Sequence, residues 1–385
     1  MSSAVPFGRP MIGAAEIKAV AEVLSKGTLV HGAITPEFES AFAEFLGVRN
    51  AVAVSSCTAG LHLGLFAKGV GHGMRVAVPA MTHVATAHVV ELLGATPIFI
   101  DVHPETGNMD IELLREAALV GLDAILPVHY LGLPCDMEEI KEIAKGANAV
   151  VIEDCALALG ATYDDQSVGA IGDGGAFSFY PVKHMTSIEG GMFTTNDDDF
   201  AALVRKKRAF GYNKEVNNRV RPGLYDVDTL GFNYRMSEVE AAVGLGQLPK
   251  VPGWLEERER NFNTIRDAVK EFDMITIFPD VQPRKHSSHY CFNLVLPRDG
   301  SISRDRLQDR LTSMDIGTSI HYPSAVPLFS YYREKYSFSR GDFPVAEWLA
   351  GSTISLPVGP HLGPEGGATV ANAVKLALLE ELHGD

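Results

Sequence analysis

Three short segments of the 385-residue chain bring together residue types able to do chemistry. One is Phe177-Ser178-Phe179-Tyr180-Pro181-Val182-Lys183-His184, closed by Glu189-Gly190-Gly191. A lysine that follows a buried strand has little water to stabilise its ammonium, so its pKa falls from about 10.4 and its free amine becomes available to a carbonyl. Taken alone, such a lysine also fits an ordinary solvated or salt-bridged residue. The second segment is Val150-Val151-Ile152-Glu153-Asp154, an apolar run that delivers two carboxylates to its end. A carboxylate there can cap a helix, hold a metal or pair with a protonated ring nitrogen, and spacing does not choose among these. A metal would need further ligands, and Cys155-Ala156-Leu157 offers only a thiol, so no metal is expected. The third is Ser55-Ser56-Cys57-Thr58-Ala59-Gly60, between an apolar run and the apolar helix Leu61–Leu65. Small and hydroxyl residues that open a helix present backbone N–H groups and a positive dipole end to a phosphate, although a plain cap by Ser56 or Thr58 also accounts for them.

The elements that must carry these segments are legible in the hydrophobic pattern. Ile17, Val20, Ala21 and Leu24 form a helical stripe that stops at Gly27. Thr35 is placed to cap a second helix with Pro36 at its first position, faced by Phe38, Phe42, Phe45 and Leu46. From about residue 50 to 195, β-rich runs alternate with helical stretches: 51–54, 76–78, 97–102, 124–130, 149–153, 176–179 and 192–195. Several are apolar throughout, as in strands covered by helices on both faces. This predicts an α/β large domain with a mainly parallel sheet of about seven strands, whose ligands sit beyond the carboxyl ends of the strands. A helix over 252–272, a strand over 290–296, a helix over 304–314 and a last helix from about Gly366 read as a smaller α+β domain, with the boundary near residue 249 (1–248 and 249–385).

Composition limits the function classes. A formal charge of −15 argues against a nucleic-acid surface, and the densest basic run, Arg205–Arg208, reads as a solvated helix face. The four cysteines show no CxxC or Cys/His metal spacing and read as reduced thiols, and His286 and His289 read as surface histidines. The chain opens without a basic-then-apolar leader, and no apolar run approaches the roughly 18 residues of a membrane span, which leads to the expectation of a cytoplasmic enzyme.

A phosphate cradle, a carboxylate and a desolvated lysine at the carboxyl ends of strands in one sheet match what pyridoxal 5′-phosphate (PLP) requires. With those motifs, and with Pro79–Thr86, Gly231-Phe232-Asn233-Tyr234-Arg235-Met236, His321-Tyr322-Pro323 and the Gly8-Arg9-Pro10 opening, the sequence resembles the DegT/DnrJ/EryC1/StrS family of sugar aminotransferases, nearly end to end. The resemblance implies the aspartate aminotransferase fold (fold type I) and PLP as cofactor. It also implies a glutamate donor, a keto-sugar acceptor and a homodimer with a shared active site. Carried over by position, Lys183 forms the Schiff base and Asp154 partners the ring nitrogen. Thr58, the Ala59 amide and Ser178 bind the phosphate, joined by Asn233 from the neighbouring subunit. Two positions depart from the pattern: His83 stands where the family puts an aromatic ring on the cofactor face, and Leu157 where it puts Gln or His. Substrate contacts fall on Tyr212, Arg219, Arg221, His321 and Tyr322. Relatives that dehydrate a sugar have histidine at the position of Lys183, so the lysine argues for transamination, and the filled catalytic positions argue against a non-catalytic binding member.

Overall fold

A computed structural model describes residues 4–213, 221 and 224–383. Two helices open it, α1 (Ala14–Lys26) and α2 (Ile34–Leu46), and each stops at a left-handed glycine, Gly27 (φ 75°) and Gly47 (φ 71°), where only the lack of a Cβ makes the turn cheap. The start of α2 differs from the expectation. Thr35 is not its cap: the helix begins two residues earlier than expected, and the carboxylate of Glu238 accepts the Ile34 N–H (2.9 Å) and the Thr35 hydroxyl (2.5 Å). A buried carboxylate 204 residues away thus takes the donor that a local cap would have served, and Pro36 becomes the third helical residue.

The large sheet has seven strands in the order β1-β9-β8-β5-β4-β2-β3. They are β1 (Asn50–Val54), β2 (Arg75–Pro79), β3 (Thr96–Ile100), β4 (Ala124–Ile125), β5 (Val150–Asp154), β8 (Gly174–Ser178) and β9 (Gly191–Thr195). Only β9 runs against its neighbours. In β1, Val52 and Val54 enter one hydrophobic core while Ala51 and Ala53 enter another, which is why the strand is apolar at every position after Asn50. On the first face pack α3 (Cys57–Ala67), α4 (Val84–Leu92) and α7 (Asp198–Arg208). On the second lie α2, α5 (Ile111–Leu119), α6 (Met137–Ala147) and α8 (Glu238–Gln247). The run expected as a strand over 124–130 pairs only at Ala124 and Ile125, with one further bridge from Val128 to Asp154, because Pro127 has no N–H to give the ladder. The Arg205–Arg208 run is also less solvated than expected: Lys207 is buried, bonds Thr229 and lies 4.2 Å from the Phe66 ring centroid, and Arg208 pairs with Glu39.

Two hairpins, β6 (Thr162–Tyr163) with β7 (Gln166–Ser167) and β11 (Val281–Gln282) with β12 (Lys285–His286), join as a four-stranded ribbon. After α9 (Val251–Val269), a three-stranded antiparallel sheet forms from β10 (Thr276–Ile277), β13 (Phe292–Val295) and β14 (Thr353–Leu356). Together with α10 (Arg304–Ser313) and α13 (Gly366–His383) it encloses a third core around Phe262, Leu294, Leu307, Ile354 and Val370. Past Ile316 the chain leaves that core before returning at β14. It carries α11 (Ser330–Tyr336) and α12 (Pro344–Ser352) onto the large sheet, where Val326, Tyr332, Phe343 and Leu349 join the first core.

The fastening of α12 is specific. Asp101, just past β3, accepts the N–H groups of Val345 and Ala346, both at 2.9 Å, so a side chain 244 residues away caps a helix that has no side-chain cap of its own. Asp101→Ala is expected to destabilise the protein by about 1–2 kcal/mol, seen as a lower urea midpoint with an unchanged far-ultraviolet spectrum.

Candidate active site

β1, β8 and β5 end on one edge of the sheet, and β9 begins there. Gly191 pairs with both Val54 and Ser178, which ties the ends of β1 and β8 together. A Cβ on Gly191 would lie 2.5 Å from the Ser56 carbonyl carbon and 2.6 Å from the Cys57 nitrogen, so only glycine lets the Ser56–Cys57 turn settle against the strand. That turn opens α3. Ser56 is its cap and its Oγ accepts the Ala59 N–H at 3.1 Å. The Ala59 amide expected at a phosphate is therefore already engaged, which leaves the N–H groups of Cys57 and Thr58 at the positive end of the helix. The half-buried Thr58 hydroxyl has no bonding partner among the described residues. Ser178 Oγ, across Gly191, accepts a long 3.4 Å bond from Tyr180 N–H and keeps its own proton to donate.

At the end of β5 the two carboxylates point to opposite faces, as alternation along a strand requires. Asp154 faces α3 and α4: Oδ2 accepts the Thr86 hydroxyl (2.8 Å), and Oδ1 the Ala156 N–H (3.1 Å) and the Cys57 thiol (3.8 Å). It is 5 % exposed and has no ion pair among the described residues. An anion so enclosed and hydrogen-bonded lacks only a cation. Leu157 packs into the first core, so where a Gln or His was expected the carboxylate has hydroxyl, thiol and amide partners. Glu153 faces the other way. It is fully buried and accepts four bonds, from Gly169, Ile171 and Gly172 N–H (2.8, 2.9 and 2.7 Å) and from His129 Nε2 (3.0 Å). Because His129 Nδ1 accepts the Cys135 N–H (3.1 Å), its proton sits on Nε2. His129, Glu153 and Cys155 cluster within 4.8 Å, but the imidazole lone pair and the carboxylate oxygens are committed, and a metal would have to displace those bonds.

Lys183 follows β8 in a tight turn. The residue keeps some exposure while its amine is enclosed over the Tyr290 ring, 5.0 Å from the centroid, and has no hydrogen bond or ion pair among the described residues. Burial lowers its pKa to about 8, against the opposing pull of Cys57, Asp154 and Cys291. Burial and the neighbouring Asp154 drive the Cys57 thiol well up, so at neutral pH it is uncharged and Asp154 supplies the negative field. His83 caps α4: Nδ1 accepts the Ala85 N–H at 3.2 Å, and burial holds the ring below the usual histidine pKa. Its ring meets Tyr322 edge-on at 5.9 Å. His321 is buried, and Tyr322, whose hydroxyl pKa burial raises well above 10, follows it.

Other expected site residues lie apart. Tyr212 packs on Tyr225 (4.5 Å) and lines a separate groove of about 380 Å³ with Arg205, Arg208 and Arg235. Asn233 is exposed on the segment that bridges to Ala209 and runs beside the end of β1, with no side-chain partner among the described residues. Arg221 is exposed, and Arg219 lies outside the described residues. His289 is not a surface histidine: it is 2 % exposed and its Nε2 meets Asp280 at 3.4 Å, an acidic partner nine residues away, whereas His286 is exposed as expected. The sequence reading missed Thr86, Tyr290 and the His129–Glu153 pair. The last had a signal, since a carboxylate inside an apolar strand must find donors and the glycine-rich 169–175 segment supplies them.

The groups at this edge fit PLP: an amine short of a proton partner, an enclosed carboxylate short of a cation, and a helix start with free donors beside a hydroxyl. This defines a fold type I PLP site. The chain belongs to the DegT/DnrJ/EryC1/StrS aminotransferase family, whose model matches residues 10–375, and it is a PLP-dependent aminotransferase. It is 35 % identical over 376 residues to the spore coat polysaccharide biosynthesis protein SpsC of Bacillus subtilis (strain 168), covering 96 % of each chain. Spr1654 of Streptococcus pneumoniae superposes with a TM-score of 0.91 in its PMP form and 0.89 in its PLP form, at 27 % identity over 98 % of this chain and all of that one. Helicobacter pylori PseC, an aminotransferase involved in the biosynthesis of pseudoaminic acid, superposes with 0.89 at 25 % identity over the full length of both. Among the described residues no helix is long and apolar enough to cross a membrane.

Lys183 gives a pH signature in cofactor-free protein. Its folded pKa of about 8 lies below the unfolded value of about 10.4, so the unfolded chain binds more protons between those limits and stability rises with pH across that window. Lys183→Met should abolish that rise and add about 1–3 kcal/mol of stability at pH 7, measured by thermal melts of the cofactor-free protein.

Proposed function

We propose that the enzyme moves an amino group from an amino acid, L-glutamate, to a keto or aldehyde sugar, nucleotide-linked, in amino-sugar and polysaccharide biosynthesis, and that it works as a cytoplasmic homodimer. The observation that carries the reading is the enclosed Lys183 amine with a pKa of about 8, on the same sheet edge as the Asp154 carboxylate, the amine without a partner and the carboxylate without a cation among the described residues. Relatives named for polysaccharide and pseudoaminic acid biosynthesis support a sugar as acceptor.

When bound, PLP supplies an aldehyde for an amine to condense with and a ring that accepts the electron pair left at the donor's α carbon. Lys183 Nζ is the amine that would hold the cofactor; once freed, it would take the proton from the donor's α carbon and pass it to the cofactor, and would carry a proton from the cofactor to the sugar carbon when the sugar is aminated. Asp154 holds the proton on the ring nitrogen, with Thr86 and Cys57 fixing the carboxylate. Thr58 and Ser178 bind the phosphate with the N-terminus of α3. Asn233, exposed and without a partner among the described residues, reaches the phosphate of a neighbouring subunit. His83 covers the cofactor face, and Tyr212, Arg219, His321 and Tyr322 contact the substrate. Residues 1–248 form the cofactor-holding part and 249–385 the smaller α+β part, which sends α11 and α12 back onto the large sheet.

Purified protein should be yellow, and glutamate should convert its absorbance to that of the aminated cofactor. Lys183→Ala should abolish turnover, and Asp154→Asn should slow it by about 10²–10⁴-fold. A Lys183→Ala protein with full activity on glutamate and a keto sugar would falsify the mechanism. Asn233→Ala should leave a dimer in sedimentation while weakening cofactor retention about tenfold on dialysis. A monomeric wild type would remove the shared site.

A further inference from the structure

His83, Tyr322, His321 and Tyr290 form an arc of rings, with centroid separations of 5.9, 5.4 and 5.5 Å, and the Lys183 amine lies over the last of them. His321 sits inside that arc and is fixed from behind. Its Nδ1 lies 2.9 Å from Ser355 Oγ on β14, and Ser355 Oγ donates to Asn293 Oδ1 on β13, also at 2.9 Å. His321, Ser355 and Asn293 are each at least nine-tenths buried. The hydrogens can be counted. With the amide oxygen of Asn293 turned to it, Ser355 gives its one hydrogen to Asn293, and a remaining lone pair accepts the Nδ1–H of His321. The imidazole proton is then on Nδ1, and Nε2, across the ring from Ser355, keeps a bare lone pair with no partner among the described residues.

Electrostatics agree with the count. Burial, with the charges of Lys183 and His83, lowers His321 to about 3, so the ring stays neutral at physiological pH. With the Lys183 charge acting on the ring, a lone pair toward the arc is favoured over an N–H.

We infer that Asn293 and Ser355 are positioning residues that lock His321 in its Nδ1–H tautomer, so that Nε2 accepts a hydroxyl or ammonium hydrogen of the substrate beside Lys183 and turns away a carboxylate or phosphate. The reference to substrate rests on the transamination reading above; the tautomer does not. An acceptor at this place sorts substrate groups by chemistry: a sugar hydroxyl or an amine gains a bond, and an anion meets an unshielded lone pair.

The tautomer is read in cofactor-free protein labelled with nitrogen-15 histidine, by long-range proton–nitrogen correlation near neutral pH, with the His321 ring assigned by its loss in His321→Gln. A protonated Nδ1 and a bare Nε2 are expected, and Ser355→Ala should blur this into a tautomer mixture. In the cofactor-loaded enzyme, Ser355→Ala should raise KM for the donor or the sugar about tenfold, and by more than it lowers kcat. A hydrogen on Nε2 in the wild type overturns the relay, and a Ser355→Ala enzyme with both KM values unchanged overturns the substrate contact. If the wild type turns over no keto sugar, the transamination reading falls, while the nitrogen spectrum still decides the tautomer.

Discussion

Two neighbouring carboxylates buried at the end of one strand impose the constraint around which the rest is arranged. Alternation along β5 sends Glu153 and Asp154 to opposite faces, and an ionised carboxylate in the interior must be met by donors. Glu153 is met completely, by three backbone N–H groups and a neutral histidine. Those bonds fix the 169–172 loop, which leads into β8, and β8 in turn sets the place of Lys183. Asp154 is met by a hydroxyl, an amide and a thiol but by no cation among the described residues. The saturated carboxylate is structural; the undersupplied one is available to a ligand.

The same asymmetry governs the lysine. Its amine is enclosed against an aromatic ring rather than paired with a carboxylate, so it holds its proton weakly and costs stability as long as it is charged. Such a cost persists only where the surrounding fold over-determines the geometry. Here the β1–β9–β8 ladder around Gly191, the cap at Ser56 and the docking of α12 by Asp101 do so from three directions.

Much of this was legible in the residues. The apolar runs announced a parallel sheet because strands buried on both faces need no polar alternation, and the order cradle, Asp154, Lys183 announced the chemistry because each lies at or within a few residues of a strand's end. The sequence misled where a distant group intervened or a local proline was overlooked. Glu238 displaced Thr35 as the cap of α2, Pro127 cut a strand short, and Asp280 drew His289 into the interior.

By itself, then, the sequence determined the class of fold, the family and the cofactor, because these depend on local periodicity and on residue types at strand ends. Tertiary structure alone decided which oxygen of Asp154 meets Thr86, that Glu153 is consumed by His129 and a loop, that Tyr290 lies beneath Lys183, and that Ser355 and Asn293 orient His321. Each of these joins residues 16 to 107 positions apart in the chain, or faces the two sides of one strand differently. Hydrogen-bond direction and desolvation are properties of the packed interior, and no spacing along the chain encodes them.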